Sequence, residues 1–106
     1  MSKYLIIASY TSEGVKGILA KGGTARKAAI EATVVQMGGS LESFYFGFGE
    51  GDAYVIVDLP DNVTAAALGL QVGASAMAST RTVVLITPEE IDRAAQAPSA
   101  YRPPGS

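Results

Sequence analysis

The sequence predicts an α+β domain: one four-stranded antiparallel sheet with helices packed against a face of it. Three observations carry that prediction. Segments rich in β-branched and aromatic residues alternate with alanine-rich segments whose apolar positions recur every three or four residues. Glycine or proline separates the segments, at Gly22–Gly23, Gly38–Gly39, Pro60 and Pro88. At 106 residues the chain has room for a single domain, residues 1–106, with a tail from about residue 98.

Lys3 to Thr11, "KYLIIASYT", reads as the first strand, ended by "SEG". From Ser12 to about Met37 the period becomes helical, through Val15, Ile18, Leu19, Ala25, Ala28, Ala29, Ala32 and Val35. Gly22–Gly23 breaks this stretch into two helices or kinks one, with Thr24 as the expected N-cap of the second piece. "GGS", Gly38 to Ser40, stops it. "LESFYFGFG" and "DAYVIVDLP" form a hairpin across a short glycine-containing turn, and Pro60 closes its second strand. Asp61 or Asn62 caps an alanine-rich helix running toward Met77. "STRTVVLIT" is the fourth strand, and Pro88 opens a short final helix with acids in its first turn. "PSAYRPPGS" is proline-rich and extended. The order is βαββαβ with a short C-terminal helix, the ferredoxin-like plan.

Composition removes whole classes of chemistry. The chain has no cysteine and no histidine. Disulfides, thiolate catalysis, Cys- or His-ligated haem or zinc and every His-dependent triad are thereby excluded, and neither a metal nor a cofactor is expected. Eight basic residues against ten acidic ones give a net charge of −2, and the basic residues build no stripe, so neither nucleic acid nor membrane is an expected partner. The apolar run near the N-terminus is too short for a signal peptide or a membrane span, which suggests a cytoplasmic, bacterial-type protein.

Both sheet faces read as apolar. Leu5 and Ile7 oppose Tyr4, Ile6, Ala8 and Tyr10; Phe44, Phe46 and Phe48 oppose Leu41 and Tyr45; Tyr54 and Ile56 oppose Val55 and Val57; Val83 and Leu85 oppose Val84 and Ile86. Helices cover only one face of such a sheet. The other is expected to carry Tyr4, Tyr10 and the phenylalanines as a patch larger than a soluble monomer tolerates. A homodimer or higher homo-oligomer through that face would hide it.

Four runs carry a family resemblance: "YT.EG" at Tyr10, "GG..RK.A" at Gly22, "GG.LE.FY..FGE.D" at Gly38 and "LPDN.TAAAL" at Leu59. Together they resemble the GYD domain family, named for a Gly-Tyr-Asp motif, over nearly the whole chain to about Asp92. The resemblance implies a ferredoxin-like protein of the dimeric α/β-barrel type. Related dimeric barrels serve as cofactor-free monooxygenases, lactone isomerases and small-molecule-sensing or assembly modules, and a fold does not choose among these. Gly51 stands where the family often has tyrosine or another large residue, directly before Asp52.

The candidate site residues follow from chemistry. "GFGEGD" precedes a strand, so no helix N-terminus stands ready for a phosphate and the glycines read as a turn. Asp52, with Glu50 nearby, is the candidate proton-transfer group, against the alternative of a turn cap or salt bridge. Arg26 is a candidate anion binder or a structural partner of Asp52 or Glu50. Tyr10, Tyr54 and Arg81 are the other polar groups that strands could aim into a ligand cavity. The leading reading is a small oligomeric binding or assembly module, with a small apolar or aromatic ligand. The alternative is a cofactor-free isomerase or monooxygenase acting on a small carbonyl compound.

Overall fold

A computed structural model describes residues 1–105. Among these, the elements in chain order are β1 (Ser2–Tyr10), α1 (Ser12–Lys21), α2 (Gly23–Gln36), β2 (Ser40–Phe46), β3 (Ala53–Leu59), α3 (Asn62–Ala74), β4 (Ala78–Leu85) and α4 (Pro88–Ala95). The strands form one antiparallel sheet in the order β2-β3-β1-β4. This is the ferredoxin-like βαββαβ plan, as the alternating periods predict.

Local signals fix most boundaries. Thr11 caps α1 by accepting from the Gly14 amide, and Asp61 caps α3 by accepting from the Thr64 amide at 2.8 Å. Thr87 and Glu90 form a complete capping box at α4. The cap of α2 differs from expectation. Gly22, at φ 88°, ends α1 and starts α2, which leaves Thr24 inside the first turn. Only glycine takes that backbone conformation without cost, so the break needs no capping side chain.

The hairpin also departs from the predicted short turn. β2 stops at Phe46, and Gly47 to Asp52 form a loop in which Phe48 is fully exposed. The loop is tied down by backbone bonds from Gly47 N–H to the Asp52 carbonyl and from Asp52 N–H to the Ala8 carbonyl. Gly51 is buried there, because a Cβ would stand 2.6 Å from Ile7 Cγ2 and 2.8 Å from the Tyr54 hydroxyl. The volume that a larger side chain would take belongs to Tyr54 and Ile7.

The core lies between the sheet and α2 and α3. Tyr4, Ile6, Val55, Val57 and Leu59 meet Val34 from α2 and Ala65 and Leu68 from α3. Tyr4 is 1% exposed, and its hydroxyl donates to Asn62 Oδ1 at 2.6 Å, tying β1 to the start of α3. A bulge at Glu42 changes the parity of β2, so Leu41 lies on the same face as Phe44 and Phe46 rather than opposite them.

The expected composition of the open face is therefore corrected. Tyr4, Tyr10, Phe44 and Phe46 face the helices, where burial is available, and Phe48 has left the sheet. The open face is built from two cross-strand rows, Tyr45–Tyr54–Ile7–Arg81 and Ser43–Ile56–Leu5–Val83. At one end Lys3 bridges Glu42 and Asp58, and these hydrogen bonds raise the Lys3 pKa. From Ile86 to Gly105 every residue is exposed. That arm explains a radius of gyration of 16.9 Å, against roughly 13 Å expected for a compact chain of this length.

Two predictions follow from this packing. Gly51→Ala keeps the backbone geometry but forces Ile7 and Tyr54 aside, so urea denaturation should show a loss of about 1–3 kcal/mol. Asp61 has its pKa lowered below 3.8, chiefly by the Thr64 amide. Its contribution is present above pH 3.8 and lost as pH falls through the folded-state value. Asp61→Ala should lower the denaturation midpoint at neutral pH, and the gap to the parent chain should close in acid; a gap that persists there would contradict the cap.

Candidate functional site

Arg26 stands in the first turn of α2, directed by the Gly22 break toward the end of β1. Its guanidinium carbon lies 5.9 Å from the centroid of the Tyr10 ring, within cation–π range. The Nε atom is buried and its N–H finds no acceptor. Among the described residues Arg26 also has no salt bridge. An unmet buried donor costs about 1–3 kcal/mol, more for a charged group.

Two cavities meet at this pair. The inner one, about 40 Å³, lies between the sheet and helices α2 and α3, among Ile6, Ala8, Ile30, Val55, Leu68 and Val72. The outer one, about 340 Å³, is a groove between α1 and α2 lined by Gly14, Gly17, Lys21, Ala25, Ala29 and Met77. Tyr10 and Arg26 line both. Glycines and alanines at three- and four-residue spacing on α1 and α2 keep the groove open, because they put little side chain into it.

The remaining candidates lie elsewhere. Tyr54 and Arg81 occupy the same row of the open face, on opposite sides of Ile7. The Asp52 carboxylate accepts from the Tyr10 backbone amide at 2.8 Å, and the exposed Glu50 accepts from Ser9 Oγ through its carbonyl. Neither carboxylate lines either cavity. Arg26 and Tyr10 are thus brought together, Asp52 supports Tyr10 from behind, and Tyr54 and Arg81 are separated from them by the sheet.

The lining residues Ile30, Leu68, Val72 and Lys21 are not among the candidates the sequence singles out. The usable signal was the facing pair of small-residue spacings, Gly14 with Gly17 and Ala25 with Ala29. Among the described residues there is no group of three or more potential metal ligands, and no helix is long and apolar enough to cross a membrane.

These features define a ferredoxin-like α+β domain with one guanidinium set between an apolar interior and a surface groove. The chain belongs to the GYD domain family, whose profile matches residues 4–95. No curated protein and no solved structure matches it.

The Asp52 bond gives a direct expectation. Asp52→Ala leaves the Tyr10 amide without its acceptor and should cost about 1–3 kcal/mol in denaturation, while Asp52→Asn, whose amide oxygen still accepts, should lose less. Equal losses for both would show that the charge, not the acceptor, is what matters.

Proposed function

We propose that this chain is a homodimeric binding module that takes a small, largely apolar ligand at the Tyr10–Arg26 boundary. The observation that carries this reading is the buried Arg26 Nε, a charged donor without a partner, at the junction of an apolar cavity and an open groove. Satisfied structural arginines are paired; an unpaired one beside free space supports recognition of a ligand. The position of Asp52, held on a backbone amide outside both cavities, favours binding over proton-transfer chemistry.

The open sheet face supports the dimer. Tyr45 is 71% exposed and shares its row with Tyr54 and Ile7, while Leu5, Ile56 and Val83 make the next row. The Lys3–Glu42–Asp58 network supplies a charged rim at one end. Such a centre and rim match the anatomy of a subunit interface.

Two measurements test the reading. Short-chain alcohols and acids should shift the methyl resonances of Ile30, Leu68 and Val72 saturably; no saturable shift with any of them overturns the binding function. Light scattering at micromolar concentration should give two chain masses, and Val83→Glu, on an exposed edge-strand position, should give one. A parent chain that already scatters as one mass overturns the dimer.

A further inference from the structure

We propose that the Tyr10–Arg26 pair is a gate between the two cavities, and that the molecule which opens it is a small unbranched monocarboxylate. The proposal deepens the binding reading above and rests on it. Two observations support the gate: the guanidinium lies over the Tyr10 ring, and the same two residues bound the groove on one side and the interior on the other.

Closure leaves Nε without an acceptor. A carboxylate meets that need best, because Nε and a neighbouring terminal nitrogen present two parallel donors to its two oxygens. An alcohol or amide oxygen satisfies at most part of that fork. The apolar interior has no place for a second charged end, and the groove favours an anion. It carries Lys21 and Arg26 against Glu13, and Glu13 is already bridged by Lys16 at 3.2 Å.

The interior selects the other end of the ligand. Its lining is aliphatic apart from Tyr10, Arg26, Phe44, Thr80 and Thr82. Its volume is about 40 Å³, whereas a cavity that admits benzene is on the order of 150 Å³. A ring does not fit, but a chain of about three carbons does, at roughly 10–15 Å³ for each water-sized group. The carboxylate therefore sits on Arg26 at the mouth, Tyr10 swings off the guanidinium, and the alkyl end enters between Ile30, Leu68 and Val72.

Butanoate, its neutral counterpart butanamide and the ring acid benzoate separate these claims. In titrations of the full chain followed at the Ile30, Leu68 and Val72 methyls, butanoate should bind about tenfold or more tighter than either analogue. Arg26→Gln should abolish the preference for butanoate over butanamide while amide binding persists, which also shows that the variant is folded. Arg26→Lys, keeping charge without the fork, should lose most of the preference. Equal binding of butanoate and butanamide by the parent chain overturns the carboxylate assignment but leaves the binding site standing. Benzoate binding as tightly as butanoate overturns the narrow chamber, and full affinity in Arg26→Lys overturns the fork. Silence with all three probes and with the alcohols defeats the binding reading itself.

Discussion

Strand β1 is hydrogen-bonded on both edges and apolar on both faces, and the register of that one strand determines where everything else lies. A slip of one residue would turn Tyr4 and Ile6 toward the open face and Lys3 into the core. Hydrophobicity alone does not prevent the slip, since Leu5 and Ile7 would fill the vacated positions acceptably. Polar bonds do. The Tyr4 hydroxyl reaches Asn62, the Lys3 ammonium lies between Glu42 and Asp58, and the Tyr10 amide meets the Asp52 carboxylate. Each is available in one register only, and they act at both ends of the strand.

The same parity explains how far the sequence could be read. The strands and helices were legible because their periods differ and because Gly22, Gly38, Pro60 and Pro88 mark the changes. Which residues share a face was legible for β1 and β3, whose alternation is unbroken, although the side expected for Tyr4 and Tyr10 was the wrong one. It failed for β2, because the bulge at Glu42 shifts Leu41 into phase with Phe44 and Phe46, and no residue type announces a bulge. The burial of Tyr4 was missed for a related reason: its partner Asn62 lies 58 residues away, and only the closed sheet brings the start of α3 over it.

The site was legible in part. Arg26 stood out as a charge after a Gly-Gly break, and the structure shows why that context matters: the break starts α2 where its first turn overlooks the end of β1. Tyr10 was recognisable as a polar-tipped residue at a strand end. That the two meet depends on where α1 leaves the sheet, which is a tertiary fact. Asp52 drew attention as a turn carboxylate, and the structure gives it a backbone partner, but a distant one, the Tyr10 amide on β1, rather than the local amide a turn carboxylate commonly finds.

A one-layer sheet divides its polar residues by parity, and this division separates the two proposed tasks. Tyr54 and Arg81 are confined to the open face, where they can serve a subunit contact and cannot reach a ligand beside Arg26. Tyr10, on the helix side, is in the reverse position. Asp52 joins the two sides: its loop lies beneath Tyr54 through Gly51, and its carboxylate holds the amide of the residue that stacks on Arg26. Glycine at position 51 is what allows Tyr54 to settle on that loop. The resemblance that puts a larger residue there therefore bears first on the open face and the loop, and reaches the ligand boundary only through the bond between Asp52 and Tyr10.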